Sequence, residues 1–414
     1  MTASEPLTEV ESSWVSQIGP SITTITYFNG DVNKAAIEIK KRLHQVVNAN
    51  PWLAGKIVRN NTHKRLQIEY PIETPVSDDA INKIFYLNPA GLQLSSTTPY
   101  KDLAKTAASA IVPITKSLVN NPTLLTRLTL VTDPQKKSAF SLIFSMSHTA
   151  GDGYTYYKIL NMLSNKSELE SLCIRRRDDA NPQMEDAMGK TAWKFMLSLS
   201  HTCNIIRGIL FGGKARAYAF YVDDNMVEEQ KNHTETNKSD VDASTDDIFV
   251  STNDILVSSF SNFIDARLTI MNINFRNKLP GINPEFAGNY TGVIFYDKEG
   301  YLKPVSIRKS IKEGPPYKGL YRGVPGFIEG AFGKLGLITN WASFAGDLIF
   351  DGCDETLHLP LYDLRQLPYD AAIIFRPKHE KLGVIFMTKR FHYTNFVTSL
   401  MPINETVSKD IFTH

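Results

Sequence analysis

Hydrophobic and polar positions alternate or recur along this chain with enough regularity to mark its elements. Over 138–147, Phe140, Leu142, Phe144 and Met146 point one way and Ser141, Ile143, Ser145 and Ser147 the other, which predicts a strand. Over 154–165, Tyr156, Ile159, Leu160 and Leu163 recur at helical spacing. The run His148-Thr149-Ala150-Gly151-Asp152-Gly153 therefore falls in the turn between strand and helix. Upstream, Asp31 can cap a helix whose face is Ala35, Ile39, Leu43 and Val46, stopped by Asn50-Pro51. Strands follow around 54–58 and 65–70, and 124–131 forms a hairpin with 138–147 through Asp133-Pro134.

A strongly acidic, polar segment at 222–247 predicts a surface linker or loop. The pattern restarts at Ser251 with a helix bearing Ile255, Leu256, Phe260 and Phe263, then a strand over 268–275. Near the end, 371–375 and 382–388 predict a hairpin turning through Arg376-Pro377, followed by a helix over 392–400. The order around His148 is thus repeated, with Lys389-Arg390-Phe391 where the histidine turn would stand. The expectation is an α/β protein of α+β type with two similar lobes: 1–185 carrying the histidine turn, a crossover and acidic loop at 186–249, and a second lobe at 250–414.

The most apolar stretch, 195–213, is interrupted by His201, Asn204 and Arg207 and falls short of a clean span of about 20 apolar residues. It predicts a packed helix, with rest on a membrane surface as the alternative. The glycine-rich 319–336 matches no phosphate-loop spacing and predicts irregular backbone near a ligand.

With 414 residues and a formal net charge of +2, size allows two or three domains and charge gives no reason to expect a nucleic-acid partner. Cys173, Cys203 and Cys353 are too dispersed for a disulfide framework or a zinc site. The polar, acidic start gives no secretory signal, so a cytoplasmic, monomeric protein without a transmembrane segment is expected.

His148, emerging from an apolar strand into a turn with Gly151 and Gly153, has the residue type and position of a general base. Asp152 can equally cap the helix that follows. One histidine and one carboxylate are too few for a metal.

Taken in order, these pieces resemble the superfamily of chloramphenicol acetyltransferase, peptide-synthetase condensation domains and the BAHD acyltransferases, most of all the last. His148, Asp152 and Gly153 match its HxxxDG turn. Similar segments are Pro51-Trp52-Leu53-Ala54-Gly55-Lys56, Val250-Ser251-Thr252-Asn253-Asp254-Ile255-Leu256, Arg276 with Pro280 and Phe286-Ala287-Gly288-Asn289, and Ile338-Thr339-Asn340-Trp341-Ala342. The chain departs from the family in three places. Phe350-Asp351-Gly352-Cys353 stands for its DFGWG, Asn274 for the aspartate of D-x-R, and Ser147 where condensation domains carry a first histidine.

The resemblance implies a channel between the lobes, an acyl-CoA cosubstrate with no tightly bound cofactor, and a small alcohol or amine acceptor. His148 would be the base. Asp152 would be structural, joined to Arg276 by a bidentate pair across the lobes, with a surface arginine as the bland alternative. Thr339 or Asn340 are the candidate oxyanion donors, and Trp341 is a core residue or a substrate contact. Ser251 and Thr252 could touch coenzyme A or merely cap a helix, and Arg308, Lys309 and Lys312 could meet its phosphates or form a solvated face. Two other readings stay open: a condensation-like enzyme with a carrier-bound donor, and a non-catalytic binding protein of the same fold.

Overall fold

The computed structural model describes residues 1–60, 65–177, 179–236, 249–389 and 401–412. The alternating segment forms the strand Ala139–Met146, buried along its whole length. It is the middle strand of a five-stranded sheet ordered Asp354–Pro360, Ile22–Asn29, Ala139–Met146, Thr126–Thr132, Phe85–Leu87. Phe140, Leu142, Phe144 and Met146 pack into a core shared with the helices Val32–Ala49 and Gly153–Asn161. Ile143, on the other face, enters a different core. Cutting one such ring, as in Phe144→Ala, costs about 3–5 kcal/mol.

Local chemistry sets the ends of these elements. Asp31 Oδ1 accepts from the Asn33 and Lys34 backbone N–H groups at 2.9 and 3.3 Å, opening the helix Val32–Ala49. At its end Asn50 Nδ2 donates to the Val46 carbonyl, and Asn50 Oδ1 accepts from Leu172 N. The hairpin of Thr126–Thr132 with Ala139–Met146 closes where Asp133 N donates to Ala139 O at 2.9 Å.

A seven-stranded sheet makes the other half, in the order Thr291–Tyr296, Leu268–Asn274, Leu335–Asn340, Asp370–Lys378, Lys381–Thr388, Arg216–Val222, Ile403–Thr406. Leu335–Asn340 runs parallel to both neighbours and the remaining pairs are antiparallel. Three-stranded Thr2–Pro6, Leu66–Pro71, Lys56–Arg59 stands apart. The two large sheets share a core of their own, in which Ile25, Ile143 and Leu359 meet Ile373, Phe375 and Ile385. Asp354–Pro360, although late in the chain, pairs with Ile22–Asn29 and so laces the second half of the chain to the first sheet.

Several sequence expectations need correction. The stretch 195–213 is two helices, Lys190–Met196 and Leu199–Phe211, because Ser198 caps the second through His201 N and interrupts the first. Much of the acidic segment is the helix Asp224–Thr236, started by Asp223 Oδ1 accepting from Met226 N and anchored by buried Val227. Residues 237–248, and the helix expected at 392–400, lie outside the described residues. The late hairpin turns at His379-Glu380 rather than Arg376-Pro377, with Glu380 at φ 54°. Pro377 is accommodated inside the strand at a register shift between Phe375 and Lys378, where the missing N–H is not needed. The glycine-rich 319–336 contains the helix Phe327–Phe332 and the start of Leu335–Asn340. The helix after His148 ends at Asn161, earlier than the spacing suggests.

Candidate active site

A cavity of about 380 Å³ opens between the two sheets. Ile22 and Thr23 line it from the first sheet, Asn272, Asn274, Leu337, Thr339 and Ile373 from the second, and His148, Gly153 and Trp341 at the turns. His148 follows directly on the buried strand, and its side chain is solvent-exposed in this cavity.

The ring of His148 is oriented by Asn289. Asn289 Nδ2 donates to the His148 carbonyl at 2.9 Å and to Glu11 Oε1 at 3.0 Å, which fixes the amide with Oδ1 toward the ring. His148 Nδ1 lies 3.1 Å from that oxygen and so carries the proton. Nε2, with no partner among the described residues, is left with its lone pair free, the form a general base requires. Glu11 is itself held by buried Arg176 at 2.9 Å, and Arg176 also donates to the Thr149 and Ala150 carbonyls at 3.2 and 3.0 Å. The backbone of the histidine turn is thereby pinned from beneath. Neither Glu11 nor Arg176 carried a sequence signal, and Asn289 was visible only as the end of the Phe286–Asn289 motif.

Asp152 lies four residues on and points the other way. Its Oδ1 accepts from Thr155 N and Thr155 Oγ1 at 3.0 and 3.1 Å, so it does cap the helix Gly153–Asn161. Its Oδ2 accepts from Arg276 Nη1 at 2.8 Å, Tyr290 N at 3.0 Å and Thr291 Oγ1 at 2.9 Å. Both partners of the ion pair are buried, with side chains 1% and 2% exposed. Burial alone would raise the Asp152 pKa, but the Arg276 charge and these hydrogen bonds outweigh it and hold the carboxyl below its ordinary value.

The expected Asp152–Arg276 contact is present, but it is single rather than bidentate, because Thr155 already occupies the second oxygen. Arg276 satisfies its other N–H groups on Asn274 Oδ1, Thr155 Oγ1, Gly288 O and Phe286 O. Its guanidinium lies between the rings of Tyr154 and Tyr290, 4.4 and 5.1 Å from their centroids. Asn274 thus serves this arginine as a neutral acceptor.

The remaining candidates divide. Thr339, Asn340 and Trp341 all line the cavity. Thr339 Oγ1 makes no hydrogen bond among the described residues, whereas Asn340 Nδ2 donates to Asn253 Oδ1 at 3.1 Å with its second N–H unassigned. Trp341 packs edge-on to Tyr157 with centroids 6.1 Å apart and also walls the cavity. A methyl at Gly153 would meet Trp341 Nε1 in ordinary contact at 3.6 Å. A side chain at Gly151 would run into Thr155 Cγ2 at 2.6 Å.

Ser251 and Thr252 are outside the cavity lining. Ser251 forms a capping box with Asp254, at 3.3 Å to Asp254 N and with its own N–H on Asp254 Oδ2 at 2.8 Å. Arg308 does not belong to a solvated basic face: it pairs with fully buried Asp254 at 2.6 Å, leaving only Lys309 and Lys312 exposed. Ser147 is buried against Thr115, 3.1 Å between hydroxyls. Phe350–Cys353 packs against Gly30, away from the cavity. Among the described residues no cluster of three or more His, Cys, Asp or Glu side chains could hold a metal.

No protein-family model matches the chain, and no curated protein matches its sequence. Solved structures do. The trichothecene 15-O-acetyltransferase TRI3 from Fusarium sporotrichioides aligns over 97% of this chain and 95% of its own, at 12% identity and a TM-score of 0.59. TRI101 of F. sporotrichioides, solved with coenzyme A and T-2, covers 95% and 96% at 13% identity and a TM-score of 0.57. The first condensation domain of the CDA synthetase covers 96% and 93% at 11% identity and a TM-score of 0.54. The chain therefore has the two-lobed α/β fold of the chloramphenicol acetyltransferase-like acyltransferases and condensation domains, as a divergent example of it.

Proposed function

We propose that this protein transfers an acyl group from an acyl-CoA thioester to a hydroxyl or amine of a small acceptor. The observation that carries this reading is the unpartnered Nε2 of His148, its tautomer set by Asn289, facing a cavity between two lobes. His148 Nε2 takes the proton of the acceptor O–H or N–H as that oxygen or nitrogen attacks the thioester carbonyl. The tetrahedral oxyanion collapses, the C–S bond breaks, and the thiolate takes the proton back from Nε2. Both substrates are bound together and no covalent enzyme intermediate forms. Thr339 Oγ1 and the second N–H of Asn340 are the available donors to the oxyanion.

The cavity lining argues for an uncharged, largely apolar acceptor. Its one charged residue is Asp152, already neutralised by Arg276, and its other walls include Leu337, Phe344, Leu361 and Leu367 beside Tyr362 and Tyr369. A charged acceptor would be desolvated there with no counter-charge.

The test is a mass-spectrometric screen of thiol release from acyl-CoA donors against acceptor pools, with His148→Ala beside the native protein. Release that needs both acceptor and His148 supports the reading. Turnover only with a carrier-bound donor would instead establish the condensation-like alternative, and no turnover with either donor the binding-protein alternative.

A further inference from the structure

The helices Leu199–Phe211 and Phe327–Phe332 present a face that the active site does not use. Their inner sides are fastened together: Asn204 Nδ2 donates to the Gly330 and Gly333 carbonyls at 2.9 and 3.0 Å, and Arg207 Nε to the Ala331 carbonyl at 3.2 Å. Their outer sides carry Leu199, Leu210, Phe211, Phe327, Ile328 and Phe332, each between 59% and 80% exposed. Scattered single apolar residues on a surface are ordinary, but six large ones on two adjoining helices are not.

Charge says what this face meets. Residues 190–216 contain five basic side chains, Lys190, Lys194, Arg207, Lys214 and Arg216, and no aspartate or glutamate. On the second helix the acid, Glu329, is held by Arg267. Leu199 and Leu210 are eleven residues apart, three turns along one helix face, and exposed Lys214 follows the helix end. An exposed apolar stripe with a surplus of cations around it, its one acid Glu329 already paired, is the composition of a helix lying in the interface of an anionic bilayer. A symmetric pairing with a second copy would set these cations against one another.

The buried side of the first helix, opposite this face, backs the cavity. Helix Leu199–Phe211 packs so closely on the segment behind it that a methyl at Gly208 would lie 1.5 Å from the Pro368 carbonyl oxygen, and Pro368 with Leu367 and Tyr369 lines the cavity. His201 of the same helix stacks on Tyr369, centroids 6.3 Å apart. No described helix is long and apolar enough to cross a membrane, so the contact would be with the surface.

We infer that this two-helix face docks the protein on an anionic lipid surface, with the helix Leu199–Phe211 standing between the bilayer and the Leu367–Tyr369 wall of the cavity. Docking stands on its own observations; that it supplies a lipophilic acceptor rests on the acyl-transfer reading.

The experiment is co-sedimentation of the full chain with vesicles of phosphatidylcholine alone or with one-third phosphatidylglycerol. Two variants accompany it, Phe211→Ser/Ile328→Ser and Lys194→Glu/Lys214→Glu, both at exposed positions and checked for native melting. The expected result is sedimentation with the anionic vesicles, weakened on the order of tenfold or more by either variant and by molar salt. No sedimentation with any vesicle overturns the inference, as does sedimentation that neither variant changes. A dimer that the serine variant dissolves, without vesicle binding, would show instead that the face pairs with protein. Because the assay reads binding alone, failure leaves the role of His148 untouched.

Discussion

The two sides of the turn 148–153 are built on opposite rules. On the cavity side His148 stands exposed, with one ring nitrogen tied to a neutral amide and the other free. On the packed side Asp152 is buried and accepts five hydrogen bonds, three of them from residues of the other half of the chain. In the same half-molecule core His358 is buried as well, its ring nitrogens 2.8 Å from Thr26 Oγ1 and 3.0 Å from Tyr157 Oη. Three residues of chain thus separate a histidine left free to exchange a proton from a carboxylate held ionised by Arg276 and its hydrogen bonds. Reactivity and rigidity are divided between neighbours, and each can be removed without the other.

The largest separation should come from Asp152→Ala, which leaves the Arg276 charge buried without its partner. A loss of about 3–5 kcal/mol in folding stability is expected, read from chemical denaturation at neutral pH. Since the folded pKa of Asp152 is depressed, this contribution is present above the ordinary value of 3.8 and drains away as pH falls below it. A variant as stable as the native protein would remove the lock from the account.

His358 tests the same packed side by pH. Burial pushes its pKa down to about 4, so between about 6.5 and 4 the unfolded chain binds a proton that the folded one refuses. Stability present above pH 6.5 should therefore fall by about 3 kcal/mol as pH drops through that window, and His358→Gln should flatten that slope.

Arg276→Lys is smaller. Lysine keeps the charge but loses the planar fork and the stacking between Tyr154 and Tyr290, a cost of about 2 kcal/mol. Unchanged melting and unchanged turnover together would contradict the lobe-joining role.

Asn289→Ala probes the cavity side instead. Without the amide, His148 Nδ1 has no fixed acceptor, and kcat should fall about tenfold while KM for the thioester hardly moves. A shift in KM alone would mean that Asn289 meets substrate rather than positions the base.

Much of this division was legible in the sequence because its signals are local. The period of two before His148, the glycines around Asp152 and the cap at Asp31 each act within a few residues. The Asp152–Arg276 contact spans 124 positions and was reached only through a family resemblance, which supplied the partner but not its single-oxygen geometry. Glu11 and Arg176 offered nothing comparable: a glutamate near the start of the chain pairs with an arginine 165 positions away, and no spacing announces it. The helix Asp224–Thr236 was hidden for another reason, since acidic composition outweighed a single capping aspartate and one buried valine. The late strand Asp354–Pro360 gives no local sign that it crosses to the first sheet, because pairing partners are chosen in the assembled fold.

The most direct measurement is the rate of thiol release by His148→Ala at a temperature well below its melting point, with acceptor and acyl-CoA saturating. The account predicts a rate about 10² to 10⁴ lower than native with an unchanged melting curve, because His148 supplies proton transfer and carries little of the packing. A folded His148→Ala protein turning over at the native rate would contradict it.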